Sequence, residues 1–311
     1  MRLRILDLDQ SLPAQVPVRA RLAEGRVQVV DLRRQAEDFR LWANRSDMDW
    51  LSRALAALPP PSGDGIPLTL VGSGDYHHLT IALLSALQEP VTLIHFDNHP
   101  DWVRFPPAFH CGSWVNRALE LPLVAKVVTL GPCADDLSWP QTKGANLKAL
   151  SAGRIEMYPW THAPSRLILP DLLGQIGPGP GHESHDNALH WRNLADQDWP
   201  SFIEALAQRL PTDAIWITID KDVLRSEDAV TNWDQGQMPL ARLLDALPLL
   251  ARHRRIVGMD LCGEYAAPSF LNPLKRLSAW MDHPAPLPSS QDLARNEETN
   301  RLLLERIESL G

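Results

Sequence analysis

Two short motifs place carboxylates and an imidazole at alternating positions. Asp97, His99 and Asp101 are spaced i, i+2 and i+4 in the run Asp-Asn-His-Pro-Asp, and Asp220 and Asp222 are spaced i and i+2. Because side chains on an extended backbone alternate in direction, each motif directs its polar groups to one side. Carboxylates and imidazoles that converge in this way are typical metal ligands.

An upstream histidine, His77, completes a set of two imidazoles and four carboxylates. Four carboxylates packed together repel one another strongly, and two divalent cations would neutralise them. Oxygen and imidazole donors favour Mn²⁺, and Zn²⁺, Fe²⁺ and Co²⁺ accept the same ligands. Two such ions close together activate water at neutral pH. The set predicts a binuclear hydrolytic centre, whereas each motif taken alone is also compatible with a solvated turn.

Apolar runs of strand length alternate with longer patterns of helical period. Such alternation is typical of a mainly parallel sheet with helices on both faces. The predicted strands are 2–8, 26–31, 67–71, 91–96, 125–130, 154–158, 213–219 and 255–261. The predicted helices are 34–57, 79–88, 113–121, 200–209, 239–252 and 291–309.

The polar motifs follow directly after four of the predicted strands. Strand 67–71 precedes Gly-Ser-Gly-Asp-Tyr-His-His, strand 91–96 precedes the first aspartate motif, and strand 213–219 precedes the second. Strand 255–261 precedes Cys-Gly-Glu-Tyr. Ligands of open parallel sheets bind beyond the carboxyl ends of the strands. We therefore expect these side chains to meet at one edge of the sheet.

Composition excludes several classes of protein. The 311 residues carry a net charge of −8, which argues against a nucleic-acid partner. No apolar run reaches the length of about 20 residues that a membrane span requires. The three cysteines have no paired spacing, and the N-terminus lacks the apolar stretch of a signal peptide. These two features predict a cytoplasmic protein.

We expect one α/β domain over residues 1–311, with one long segment that breaks the alternation. Residues 159–200 are rich in Pro, Gly, His and Trp, and a long irregular stretch in a compact domain is more often a functional lid than a linker. The run His182–Asp186 resembles a set of metal ligands. No predicted strand or helix fixes it, so we predict a solvated loop.

The motifs together resemble the signatures of the ureohydrolases, the family of arginase, agmatinase and formimidoylglutamase. Gly74-Asp75-Tyr76-His77-His78 resembles the first signature, Gly-Gly-Asp-His-Ser, and its alignment places His77 rather than His78 at the ligand position. Residues 97–101 resemble Asp-Ala-His-x-Asp, and residues 218–222 resemble Ser-x-Asp-x-Asp. The resemblance covers residues 66–265, with the motifs in the family's order.

This resemblance implies a three-layer α/β/α fold with a mainly parallel sheet of roughly eight strands. It implies hydrolysis of a C–N bond in a guanidino or amidino compound by two metal ions, most commonly Mn²⁺. One ion would be held by His77, Asp97, Asp101 and Asp220, and the other by Asp97, His99, Asp220 and Asp222.

The resemblance also implies roles for residues outside the metal ligands. His110, in Phe-His-Cys-Gly, would return a proton to the leaving amine, and Asp101 would hold the attacking water. Glu264 would bind the guanidinium, and Asp136 or its neighbour Asp135 would bind the rest of the substrate. The sequence departs from the family in lacking Asp-Pro after the third signature, and one extra residue precedes Glu264, so that Gly263 could occupy the glutamate position.

These departures put free arginine in doubt as the substrate. The remaining candidate substrates are a small guanidino compound and an arginine-containing peptide. A homo-oligomer is possible. Two other functions stay open. The tandem histidines 77 and 78 also resemble those of single-metal deacetylases, which use a histidine pair as acid and base. The third possibility is a relative that binds metal without catalysis and uses the 159–200 segment as a partner interface.

Overall fold

The computed structural model describes residues 1–105, 109–168, 176–282 and 288–311. These residues form thirteen strands and ten α-helices. In chain order the strands are β1 (Arg2–Asp7), β2 (Val27–Asp31), β3 (Trp42–Ala43), β4 (Pro67–Ser73), β5 (Val91–Phe96), β6 (Phe109–His110), β7 (Val124–Leu130), β8 (Ile155–Tyr158), β9 (Ser165–Arg166), β10 (His182–His185), β11 (Ala188–Trp191), β12 (Ala214–Asp220) and β13 (Arg255–Glu264). The helices are α1 (Val16–Ala23), α2 (Ala36–Phe39), α3 (Arg45–Ala56), α4 (Thr80–Leu84), α5 (Trp114–Ala118), α6 (Leu147–Ser151), α7 (Trp199–Gln208), α8 (Leu240–His253), α9 (Pro273–Asp282) and α10 (Ser290–Glu308).

Eight strands form one sheet in the order β2-β1-β4-β13-β12-β5-β7-β8. Every pairing in this sheet is parallel. The predicted fold class is thereby confirmed. The four strands that precede the polar motifs, β4, β13, β12 and β5, are neighbours at the centre of the sheet, so their carboxyl ends lie side by side.

Both faces of the sheet are covered by helices. On β5, Ile94 and Phe96 pack in a hydrophobic cluster that includes residues of α7, α8 and α10. Val91 and Leu93 of the same strand pack in a second cluster with residues of α3 and α5. All six residues of β5 are buried, as the continuous apolar run of a central parallel strand requires. This buried frame fixes the positions of the strand ends.

The eight predicted strands of the sheet are all present, with ends that differ by up to three residues. The predicted helix 34–57 is instead divided into α2, β3 and α3, because Leu41 adopts a left-handed φ of 64° and Asn44 caps α3 through the amide of Asp47. Helices α1, α6 and α9 are not predicted. The Asn272-Pro273 pair that begins α9 is a recognisable start signal.

The 159–200 segment contains regular structure where an irregular stretch is predicted. Strands β10, β11 and β9 form a small antiparallel sheet in that order. Residues 169–175 of the segment lie outside the described residues. In the described part of the chain, none of the helices has the length and apolar character to span a bilayer.

Candidate metal centre

The carboxyl ends of three central strands carry the predicted ligands. Strand β4 runs into a 3₁₀ turn over Gly74–Leu79 that contains His77. The loop after β5 holds the motif of residues 97–101. Asp220 is the last residue of β12, and Asp222 lies in the 3₁₀ turn that follows. The six side chains therefore meet at one edge of the sheet, as the strand-end argument predicts.

The first group of side chains surrounds a ring nitrogen of His77. Its Nδ1 lies 3.0 Å from Oδ2 of Asp97, 3.4 Å from Oδ2 of Asp101 and 3.6 Å from Oδ2 of Asp220. This nitrogen is buried and has no hydrogen bond of good geometry among the described residues. A buried ring nitrogen that faces three carboxylate oxygens is an arrangement that a cation could complete.

The second group shares Asp97 with the first. Nδ1 of His99 lies 2.9 Å from Oδ2 of Asp222 and 3.6 Å from Oδ1 of Asp97. One donor atom of each of these three residues lies within 4.8 Å of the others. Asp97 thus directs one oxygen to each group, which is the placement expected of a carboxylate between two cations.

The charges of the cluster are strongly coupled. Burial, and then the neighbouring Asp97, raises the pKa of Asp101 well above its usual value. Burial, and then the neighbouring Asp220, likewise raises the pKa of Asp222 well above its usual value. Although burial opposes ionisation, contacts with His95 and His77 hold the pKa of Asp97 well below its usual value. Divalent cations would cancel this mutual repulsion, so the residues present fit a divalent metal centre.

A buried polar chain orients His77. Its Nε2 lies 2.8 Å from Oγ1 of Thr218, and that hydroxyl donates a hydrogen bond to Oδ1 of Asp260 at 2.8 Å. Because Nε2 is hydrogen-bonded to Thr218, Nδ1 is the nitrogen that faces the carboxylates. Sequence reasoning missed Asp260, although a carboxylate inside an otherwise apolar strand is a signal that can be read from the sequence.

Three further side chains touch the carboxylates of the cluster. His95, which is fully buried, contacts Oδ2 of Asp97 through Nε2 at 2.8 Å. Trp114 donates its indole N–H to Oδ2 of Asp101 at 2.6 Å. Asp101 itself has a left-handed φ of 49°, a conformation that aspartate tolerates better than most residues. The thiol of Cys262 donates to Oδ2 of Asp220 at 3.2 Å.

Asp234 is a second residue that sequence reasoning missed. Its Oδ1 lies 2.8 Å from Nε2 of His99, and its Oδ2 accepts a hydrogen bond from the side chain of Asn98 at 3.1 Å. Although burial opposes protonation, Asp222 and then Asp234 raise the pKa of His99 well above its usual value. Asp234 thus orients the His99 ring with Nδ1 toward the cluster.

We expect Asp234→Ala to weaken metal binding by about 10–100-fold, since a carboxylate that orients a ligating histidine typically contributes that much. Asp135→Ala is the matched control, because Asp135 is a more exposed aspartate whose side chain forms an ion pair with Lys143 and does not contact His99. Calorimetric titration with Mn²⁺ measures both affinities. Equal affinity in the two variants would show that Asp234 does not support His99.

A cavity of about 430 Å³ opens over the cluster. Its walls include the aromatic side chains of Trp42, Phe105 and Trp233. His110 and Asp136 also line it, whereas Asp135 does not. Among the described residues that line this cavity, none is lysine or arginine. The space is therefore acidic at its base, aromatic at its sides and suited to a cationic, planar group.

The structure brings His110 to this cavity in a defined orientation. Its ring stacks on Trp42 with centroids 5.9 Å apart, and its Nδ1 accepts a hydrogen bond from the amide of Gly112 at 2.9 Å. Because Nδ1 accepts, the neutral ring carries its proton on Nε2. His110 therefore has an N–H on Nε2 and lines the same cavity as the predicted ligands.

Glu264 is not brought to the cavity, contrary to the expectation that it binds the substrate. It is 3% exposed, and its carboxylate pairs with the buried ammonium of Lys221 and accepts hydrogen bonds from Gln15 and Asn300. Register shifts in β13 turn its side chain away. Gly263 faces the cluster instead, with φ at +87°, and a Cβ there would lie 2.4 Å from Oδ1 of Asp220. A side chain at this position would collide with a predicted ligand.

The two tandem histidines have different surroundings. His77 faces the carboxylates, whereas His78 is fully buried and neither of its ring nitrogens has a hydrogen-bond partner among the described residues. His78 does not line the cavity. The histidine pair of the deacetylase alternative would need both rings at the cavity, and of the two only His77 lines it.

No protein-family model matches the chain. An uncharacterized protein of Thermotoga maritima is 28% identical over 207 residues, which is 66% of this chain and 60% of that protein's length.

Solved structures resemble the whole chain. Formimidoylglutamase from Bacillus subtilis has a TM-score of 0.55 and 16% identity, covering 99% of this chain and 87% of its own. Arginase from Bacillus subtilis has a TM-score of 0.54 and 15% identity, covering 98% and 96%. Proclavaminate amidino hydrolase from Streptomyces clavuligerus has a TM-score of 0.51 and 16% identity, covering 91% and 76%. At these identities the likeness concerns the fold alone: the chain has an arginase-type α/β fold.

Proposed function

We propose that the protein is a binuclear metal hydrolase that cleaves a C–N bond of a guanidino or amidino substrate. The observation that carries the proposal is the buried cluster of four carboxylates and two imidazoles at the base of an acidic cavity with aromatic walls. The fold supports it, since its structural neighbours include an arginase, a formimidoylglutamase and an amidino hydrolase.

The metal ligands of the proposal are His77, Asp97, His99, Asp101, Asp220 and Asp222. Their oxygen-rich donor set favours Mn²⁺, with Zn²⁺, Fe²⁺ and Co²⁺ as the other candidates. Two divalent ions held there would act as Lewis acids and activate water at neutral pH. Metal analysis after loading with Mn²⁺ counts the ions, and a value fixed at one per chain would contradict a binuclear centre.

Charge and shape favour a guanidinium as the bound group. A planar cation can contact the aromatic side chains that line the cavity, such as Trp233, and the carboxylate of Asp136, which also lines it, can accept its N–H groups. Since Glu264 is engaged elsewhere, Asp136 is the substrate-binding carboxylate of the proposal. The substrate is a small guanidino compound or the guanidino group of an arginine within a peptide.

The protein groups that handle water and protons are Asp101 and His110. Asp101, held in place by the indole of Trp114, accepts a hydrogen bond from the attacking water and thereby orients it. The proton that the attacking water loses protonates the neutral ring of His110, and the resulting imidazolium delivers its Nε2 proton to the nitrogen that leaves, which restores the neutral ring. Trp42, stacked on His110, keeps the imidazole ring in this position.

The direct test is a panel of substrates offered to the metal-loaded protein. The panel contains arginine, agmatine, guanidino acids, formimino-glutamate, arginine-containing peptides and acetylated amines. Release of urea, or of the corresponding amide, supports the proposal. Release of acetate alone would favour the deacetylase alternative instead.

We expect His110→Asn to lower the turnover number by about 10²-fold or more while the metal content stays unchanged, because a positioned proton donor contributes about 10²–10⁴-fold. His162→Asn is the control, since His162 lies outside the cavity lining. Turnover and metal content are measured on the same preparation. Loss of metal in His110→Asn would instead place this histidine among the ligands.

Metal binding should release protons. The pKa values of Asp101, Asp222 and His99 are raised well above their usual values in the metal-free protein, so protons compete with a metal ion for these side chains. A metal ion must displace these protons, so its apparent affinity should increase with pH, by about tenfold per pH unit for each proton released. Calorimetry in buffers of different ionisation enthalpy counts the protons. An affinity for Mn²⁺ that stays constant between about pH 6 and pH 8 would contradict this expectation.

A further inference from the structure

The hairpin of β10 and β11 carries a second group of possible metal ligands, far in sequence from the first. Its turn consists of Asp186 and Asn187, both with left-handed φ values of 52° and 55°. Cross-strand pairing joins His185 to Ala188 and Glu183 to His190. Because side chains alternate along a strand and opposed residues share a face, Glu183, His185 and His190 lie on the same face of the hairpin.

The imidazole rings of His185 and His190 are in contact. They stack with centroids 3.7 Å apart and an interplanar angle of 11°. A carboxylate oxygen of Asp186 lies 3.1 Å from Nδ1 of His185, and one donor atom from each of the three residues lies within 4.8 Å of the others. Glu183 Oε2 is 4.0 Å from Nε2 of His185. Two imidazoles and two carboxylates thus gather on one small surface.

The ring of His190 gives an independent indication. Its Nε2 is buried and has no hydrogen-bond partner among the described residues. A buried nitrogen with no partner is unfavourable, and a cation that accepts its lone pair would satisfy it. His185 and Asp186 are largely exposed, so their side chains can turn to bring the donor atoms to the roughly 2.0–2.2 Å that a metal bond requires.

We propose that this hairpin face binds one divalent ion of the Zn²⁺ class through His185 and His190, with a carboxylate of Asp186 or Glu183 as a third ligand. Imidazole-rich sites prefer late first-row metals over Mn²⁺. The site is separate from the cluster at the strand ends, since none of its residues lines that cavity. It does not depend on the proposed hydrolytic function.

The ion would link the two strands across the turn. We therefore expect Zn²⁺ to slow amide exchange in residues 182–191, because an ion that binds only the closed hairpin disfavours its opening. His182, on the same hairpin, is engaged through Nε2 by the carbonyl of Gly177 at 3.1 Å and is not one of the proposed ligands.

The test uses full-length protein loaded with Mn²⁺ and then dialysed against buffered free Zn²⁺. Bound zinc is counted in the wild type, in His185→Gln, in His190→Gln and in the control His162→Gln. We expect the wild type and the control to bind one Zn²⁺ more than either hairpin variant, or to bind it at least tenfold more tightly. NMR of ¹⁵N-labelled histidine side chains should show Zn²⁺-dependent shifts of His185 and His190.

Equal zinc binding by all four proteins would overturn the proposal, as would a loss of zinc that the control shares. Unshifted His185 and His190 resonances at saturating Zn²⁺ would overturn it as well. Replacement of these partly exposed side chains is not expected to affect folding, and circular dichroism of each variant checks this.

Discussion

Asp97→Asn is expected to remove metal binding and to lower the rate of C–N bond cleavage by about 10³-fold or more. Asp97 directs an oxygen to each half of the cluster, with Oδ2 toward His77 and Oδ1 toward His99. Its loss would therefore affect both halves. Metal ions contribute several kcal/mol to transition-state stabilisation, and each 1.36 kcal/mol corresponds to about tenfold in rate.

The control for this variant is Asp135→Asn, which removes a carboxylate that does not line the cavity. Metal content by elemental analysis and the rate with the best substrate of the panel are measured for both. Wild-type metal content and activity in Asp97→Asn would show that the carboxylate cluster is not the catalytic centre.

Glu264→Gln is expected to destabilise the protein by about 3–5 kcal/mol, the typical effect of removing one partner from a buried ion pair. Lys221 is fully buried and its ammonium is paired with this carboxylate. Because Lys221 stands between Asp220 and Asp222, the pair also fixes the turn that carries these two predicted ligands. We therefore expect weaker metal binding in this variant as well.

Chemical denaturation measures the free energy of unfolding, and Glu89→Gln is the control. Glu89 also pairs with a cation, Arg255, but this pair is exposed, so its loss should leave the unfolding free energy nearly unchanged. The double variant Lys221→Met/Glu264→Gln should recover part of the lost stability, since it leaves no uncompensated buried charge. Equal stability of Glu264→Gln and wild type would show that the pair does not hold the turn.

The central strands and the polar residues that follow them could be predicted from the sequence because the signals for both are local. Continuous apolar runs mark the central strands, and the polar residues that follow each run lie at the carboxyl edge by the geometry of parallel strands. Five of the six predicted ligands needed no more than this and their i, i+2 spacing, whereas the choice of His77 over His78 came from the resemblance to a family signature. The structure brings all six together.

The direction of Glu264 could not be predicted because it depends on the pairing of β13 with its neighbour. A shift of one residue in a strand reverses the side of every following side chain. The irregular pairing around Cys262 and Glu264 does this, and Gly263 then faces Asp220. A sequence does not reveal a register shift of this kind.

Asp234 and Asp260 were missed for a different reason. Each contacts a predicted ligand or its partner that lies more than 40 residues away in the chain. Asp234 stands in no recognisable motif, and the position of Asp260 inside an apolar strand marks it as unusual without indicating which side chain it contacts. Such supporting contacts depend on long-range packing. The position of His190 beside His185 likewise depends on the hairpin of β10 and β11, which the sequence analysis did not predict.

The most direct test of the proposed hydrolysis is the rate of C–N bond cleavage as Mn²⁺ is titrated into metal-free protein. With a guanidino substrate from the panel, we expect no release of urea or amide without metal and a rise to a plateau at two bound Mn²⁺ per chain. Asp97→Asn should show no rise. Stoichiometric binding of Mn²⁺ by the wild type without cleavage of any guanidino or amidino compound would contradict the account.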